Sequence, residues 1–191
     1  MRWTQDDVIT AAFATLEQEG LEGLSLRGVA RALGAHLNSV SWYVKSKSSL
    51  IEKMADAIVG SVSVDDLPGE PIERVRAIIG RYRLAMLSHR DGGRLVAGTY
   101  TSTDRTLRFA EVIVGGLLEA DYSDEDSARL CWALVYFTLG LTQEQQTLPP
   151  GKEPELAWDA YPALSKVGQP LLVHDSFDAR FDYGIARLLR I

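Results

Sequence analysis

At 191 residues, 46% apolar and 24% charged, the chain has the composition of a globular protein with one large domain, or a small one joined to a larger one. A net charge of −6 argues against a protein that coats nucleic acid, no apolar run approaches the roughly 18 residues of a membrane span, and a single cysteine, Cys131, excludes an internal disulfide. MRWTQDDVIT lacks a secretory apolar region, so a cytoplasmic location with no membrane partner is the expectation.

The pattern is helical nearly throughout. Thr4 is placed to cap a first helix, with Asp6 and Asp7 in its first turn, and Val8, Ile9, Ala12, Phe13 and Leu16 repeat at helical spacing until Gly20. Ser25 caps a short second helix whose stripe is Leu26, Val29, Ala30 and Leu33, ended by Gly34. A third runs from about Leu37 to Val44. Ser46 or Ser48 caps a fourth, with Leu50, Ile51, Met54, Ala57 and Ile58 inward. DDLPGEP (65–71) reads as a linker. Longer helices follow at about 70–88, closed by HRDGG, at about 103–120, and at about 123–147 behind Ser123 and three acids. A helix near 154–166 is disturbed by Pro162, and a last one spans about 176–190. No segment alternates like a strand, so the expected class is all-α.

Charge is distributed unevenly. Ser25 to Lys47 holds four Lys or Arg (Arg27, Arg31, Lys45, Lys47) and no acid, inside an acidic chain. Alone, such a run usually only solvates a helical face. Here it coincides with two short capped helices joined by a tight turn, the outline of a helix-turn-helix. Ala30 and Gly34 supply the small side chain and the turn that a close crossing needs. With Val29, Leu33, Val40 and Tyr43 closing the small core, the third helix presents Asn38, Ser39 and Trp42, with His36 at its start. The candidate DNA contacts are Arg27, His36, Asn38, Ser39, Trp42, Tyr43, Lys45 and Lys47. An acid on this face would repel a duplex that carries one phosphate per ~1.7 Å of axis.

LEGLSLRGVARALGAHLNSVSWYVKSKSSLIEKMADAI (21–58), preceded by VITAAFATLEQEGLEGL, resembles the DNA-binding domain of the TetR family of transcriptional repressors. HRDGGRLVAGTY (89–100) and FTLGLTQEQQ (137–146) resemble the core of its tetracycline-repressor subgroup. The resemblance implies a helix-turn-helix domain over 1–48, a connecting helix over 49–64, and a helical effector-binding and dimerisation domain over 65–191. It implies a homodimer that binds a palindromic DNA operator and leaves it when a small-molecule effector binds.

Several positions depart from the family pattern. Ser41 and Tyr43 stand where the reading helix usually carries Tyr and His. Leu37 replaces a polar base-reading side chain. Val96 takes the place of a metal-ligating His, while Glu144 matches an acidic metal partner from the other subunit and Thr99 matches a pocket residue. Ile78 and Val112 stand where polar drug-contacting groups would be. The expected effector is therefore apolar and is not magnesium–tetracycline, with no metal and no cofactor.

Candidate pocket residues are Tyr82, Met86, Thr99, Phe109, Ile113, Gly116, Trp132, Tyr136, Phe137 and Glu144, with plain core as the alternative for each aromatic. Leu130, Leu134, Phe177, Phe181, Ile185 and Leu188 are candidates for an isologous four-helix dimer contact, or else complete the monomer core. No catalytic residue is expected: there is no metal-spaced His/Cys set, no G-x-S-x-G and no phosphate-cradling loop, which disfavours a small helical enzyme. A helix-turn-helix that contacts protein instead of DNA is the other alternative.

Overall fold

The computed structural model describes residues 3–99, 103–147 and 160–190. Among these residues all regular structure is helical: α1 (Gln5–Gly23), α2 (Leu26–Leu33), α3 (Leu37–Tyr43), α4 (Lys47–Gly60), α5 (Pro71–Leu87), α6 (Gly92–Ala97), α7 (Asp104–Glu119), α8 (Asp124–Thr147), α9 (Pro162–Val167), α10 (Gln169–Leu172) and α11 (Phe177–Leu189).

Side-chain caps set most of the starts. Thr4 and Asp7 form a reciprocal box at α1, the Thr4 hydroxyl accepting from the Asp7 amide at 3.1 Å and the Asp7 carboxylate from the Thr4 amide at 2.8 Å. The Thr4 hydroxyl also donates to the Asp7 carboxylate at 2.7 Å, and this bond, with that from the Thr4 amide, holds the Asp7 carboxyl below its ordinary range. Ser25, Ser46, Thr103, Ser123 and Ser176 accept from amides three residues on at α2, α4, α7, α8 and α11. Of the two serines proposed for α4, Ser46 is the cap.

The first three helices and the start of α4 form a small unit around Val8, Ala12, Leu16, Leu24, Val29, Val40, Val44 and Leu50, all buried. α4 continues out of this unit and packs on α6 and α7. There α5, α7, α8 and α11 enclose the second core, with Ile78, Ile79, Met86, Ile113, Leu117, Leu134 and Ile185 fully covered. The linker is not a free tether. Arg81 donates to the carbonyls of Ser63 (2.9 Å), Asp65 (2.5 Å) and Asp66 (3.0 Å), and Arg74 donates to those of Pro68 (3.3 Å) and Gly69 (3.0 Å).

The structure corrects four sequence expectations. Gly20 kinks α1 (φ +70°, ψ 175°) without ending it, and the helix resumes to Gly23. HRDGG closes α5 and also opens α6, which had no counterpart in the sequence reading. Its two glycines are needed for close approach: a Cβ on Gly92 would lie 2.1 Å from the Met86 carbonyl oxygen. Pro162 occupies the first position of α9, where its missing N–H costs nothing, and so starts that helix instead of disturbing it. Most of the helix expected near 154–166 lies outside the described residues.

Leu134, Phe181 and Ile185 are the fourth correction. They are 0%, 6% and 0% exposed within one chain, so they complete its own core and cannot form a contact with a second copy. Leu130, Phe177 and Leu188 remain partly exposed.

Candidate functional site

The helix-turn-helix is built as its spacing requires. Gly34 takes the left-handed conformation (φ +64°), which lets the Ala35 amide return to the Ala30 carbonyl at 2.9 Å and turns the chain sharply into α3. Val40 is the buried residue of α3. His36, Asn38 and Trp42 are therefore exposed, and Ser39 is half-buried. Trp42 is 77% exposed, and the Lys45 ammonium sits 5.9 Å from its ring centroid. Arg27 and Arg31 are exposed on α2.

Two of the candidates have partners inside the chain. The Tyr43 hydroxyl donates to the Trp3 carbonyl, docking the segment before α1 on the end of α3. The Lys47 ammonium donates to the carbonyls of Leu21 (2.9 Å) and Glu22 (3.2 Å), so it caps the end of α1 as well as carrying charge on this face. Both roles are structural ones that the sequence reading missed.

The same end of α1 is gripped from the second domain. The Arg90 guanidinium donates to the carbonyls of Glu17 (3.0 Å) and Gln18 (3.1 Å), and its amide donates to the Glu17 carboxylate at 2.9 Å. The Asp91 carboxylate accepts from the Leu21 amide at 2.8 Å, and Arg94 pairs with Glu22. His89 stacks on Phe13 with centroids 4.2 Å apart. Burial pushes the His89 ring below its ordinary pKa, against the opposing effect of Glu17. Gln146 on α8 fixes this turn, donating to the His89 carbonyl at 2.8 Å and accepting from the Gly93 amide at 2.9 Å.

Above the turn lies an apolar cavity of about 250 Å³. α4 contributes Ala55 and Val59, and α5 contributes Tyr82. Val96 and Ala97 of α6 and Thr99 just after it form a third wall, Thr106, Phe109 and Ala110 of α7 a fourth. Cys131, Trp132, Val135, Tyr136 and Leu139 of α8 complete it. Trp132 and Tyr136 stack, with centroids 5.3 Å apart, and are 47% and 62% exposed at its rim. Burial raises the Cys131 thiol above its usual pKa, which keeps it protonated.

Of the pocket candidates, the structure brings Tyr82, Thr99, Phe109, Trp132 and Tyr136 together here. Met86, Ile113 and Gly116 are buried elsewhere in the core, with Gly116 pressed against Val75 and the Pro71 carbonyl. Phe137 packs on Gly184 and Phe181 of α11. Glu144 is exposed on α8, away from the cavity lining. The lining that sequence reasoning missed, above all Ala55 and Val59, consists of small or branched residues whose periodicity matches ordinary core.

A wider polar cleft of about 590 Å³ lies between α1, α4 and the start of α7, with Asp6, Glu52, Lys53, Asp56 and Arg105 among its walls. Its acids do not converge. Among the described residues no three His, Cys, Asp or Glu side chains could hold a metal ion, and no helix is long and apolar enough to cross a membrane.

Comparison with known proteins agrees with this architecture. Residues 67–190 match the family model described as tetracyclin repressor-like, C-terminal domain. The tetracycline repressor protein class E of Escherichia coli is 30% identical over 98% of this chain and 90% of its own length. A crystal structure of a possible TetR family transcriptional regulator from Streptomyces coelicolor A3(2) superposes with a TM-score of 0.85 at 32% identity, covering 98% of this chain and 97% of that one. BioQ with its double-stranded DNA operator superposes with a TM-score of 0.68 at 26% identity, over 76% of this chain and 88% of that one. A basic helix-turn-helix carried by a second helical domain with an apolar cavity, matched along nearly the whole chain by regulators of one kind, places this protein in the TetR family of transcriptional regulators.

Proposed function

We propose that this chain is a ligand-responsive repressor that binds a palindromic operator as a homodimer and is released by a small, apolar effector other than magnesium–tetracycline. The observation that carries the reading is that α4 belongs to both halves. Its first turns close the core of the reading unit through Leu50, and its later turns wall the cavity through Ala55 and Val59. A ligand there touches the helix whose tilt sets the spacing of two reading helices. Release is then a shift between two dimer geometries, driven by unequal affinity of the ligand for them.

The BioQ complex with operator DNA supports the DNA-binding role by likeness. Asn38 is exposed for base edges with half-buried Ser39 beside it, and the exposed Arg27, Lys45 and Trp42 are available to the phosphate strand. The valine at position 96 removes one of the two groups that the resemblance assigns to a metal and leaves Glu144 as a lone acid, which is not a metal site. The remaining lining suits an uncharged molecule.

The test is a mobility shift on the duplex upstream of the protein's own gene, with a scrambled duplex beside it and a salt series on both. Asn38→Ala is expected to change sequence preference, costing about 1–3 kcal/mol at the cognate base. Lys45→Ala is expected to weaken both duplexes alike and to lower the salt slope by about one. Parental behaviour of both variants on both duplexes refutes the interface assignment.

A further inference from the structure

Tyr82 differs from the other polar groups of the cavity. It is 2% exposed, and its ring lies tilted against Phe109 with centroids 4.7 Å apart. Its hydroxyl has no hydrogen-bond partner among the described residues, although the residue lines the cavity. The Thr99 hydroxyl already donates to the Val96 carbonyl at 2.9 Å, and that of Thr106 meets the Thr103 hydroxyl at 3.3 Å. A phenol that lines an apolar cavity with no protein partner among the described residues has its O–H left to donate when an acceptor arrives. Burial also drives the Tyr82 phenol well above its ordinary pKa, so it arrives at that encounter as an O–H donor.

The walls add shape and charge. Two aromatic residues, Phe109 on α7 and Trp132 on α8, are among its walls. Among the described residues, no Asp, Glu, Lys, Arg or His lines it. A carboxylate or ammonium entering would be stripped of water and given no counter-charge. The volume of about 250 Å³ lies just below the range of about 300–1,000 Å³ for drug-sized ligands, so the occupant is compact.

We infer that the effector is an uncharged, flat, fused-ring molecule with a carbonyl oxygen that accepts a hydrogen bond from the Tyr82 hydroxyl. This rests on the effector-site reading above and adds the ligand's chemistry to it. The carbonyl points to α5, and the ring plane lies between Phe109 and Trp132. The bond supplies orientation and the ring faces supply most of the affinity.

Three probes of one shape test the assignment: fluorene, its ketone fluorenone, and a fluorenone carboxylate. Binding is read by quenching of tryptophan fluorescence in the full-length protein, with Trp132→Phe as the control for site, and by the melting temperature. Fluorenone is expected to bind the parent. Tyr82→Phe is expected to weaken fluorenone about tenfold and to leave fluorene unchanged. The carboxylate is expected to bind at least about a hundredfold more weakly than the ketone. Tyr82→Phe without ligand is expected to melt at or above the parental temperature, because no bond is lost. A hydroxyl that merely held the core together would lower it.

An unchanged ratio of fluorenone to fluorene affinity in Tyr82→Phe, or a carboxylate that binds like the ketone, overturns this inference and leaves the cavity as the effector site. If no probe quenches Trp132 in either protein while both still bind the operator duplex, this inference falls as well, and the effector-site reading stands or falls separately. Loss of operator binding in the unliganded parent is a failure of the repressor reading alone.

Discussion

His89 shows how one side chain can make a domain contact sensitive to acid. Its ring is held below its ordinary pKa, chiefly by burial, where it stacks on Phe13. The folded chain therefore prefers the neutral ring. The contribution of that contact is fully present above about pH 6.5, the unfolded value, and is lost as pH falls through the lower folded one. Between pH 7.5 and 5.5 the parent is expected to lose more melting temperature than His89→Gln does. Equal losses refute the assignment. Arg83 makes a different point about buried charge. It is 5% exposed, donates to Asp178 at 2.7 Å and Gln145 at 2.6 Å, lies 4.9 Å from the Phe181 ring centroid, and leaves its Nε without a partner among the described residues. Asp178→Asn strips a buried cation of its counter-charge and is expected to cost about 2 kcal/mol in denaturant unfolding. Arg83→Met removes the charge along with its unmet need and is expected to cost less.

At the scale of elements, the end of α1 is where the two domains hold each other. Lys47 grips it from α4, and Arg90, Asp91 and Arg94 grip it from the turn before α6 and from α6 itself. Gly20 makes this possible. Its backbone (φ +70°, ψ 175°) is one that side chains do not tolerate, and a Cβ there would lie 3.0 Å from the Arg90 guanidinium. Gly20→Ala is expected to cost about 1–3 kcal/mol and to loosen the Arg90 contact, seen as faster amide exchange at Leu21 and Leu24. Parental exchange in that variant refutes the grip. The glycine was legible as a punctuation mark, but its use as a kink was not. Local composition says that a helix is interrupted there. Only the Arg90 side chain, seventy positions further along the chain, decides that the helix resumes and bends.

For the whole molecule, the question is which apolar residues face a second copy. Period and hydrophobicity put Leu134, Phe181 and Ile185 in the same class as Leu130 and Leu188, yet the first three are sealed inside one chain. A stripe wide enough to serve two partners looks the same from the sequence whether the second partner is the chain's own α5 or another molecule. The face left open on α11 carries Tyr183, 65% exposed. If two copies pair through α8 and α11, light scattering is expected to give twice the chain mass, and Tyr183→Glu to give one chain mass with helical content unchanged. A parent of single-chain mass at micromolar concentration refutes the pairing.

By itself, the sequence determined the helical class, the capped starts at Thr4, Ser25 and Ser123, and the helix-turn-helix with its stretch free of acids, because each of these depends on neighbours within a few residues and on a period of 3.6. The cavity depended on tertiary structure. Ala55, Val59, Tyr82, Phe109 and Trp132 come from four helices far apart in the chain, and nothing local to any of them distinguishes a wall from a core. That difference is the space left when five helices, α6 among them, meet without filling it, which is a property of their packing together and of no segment alone.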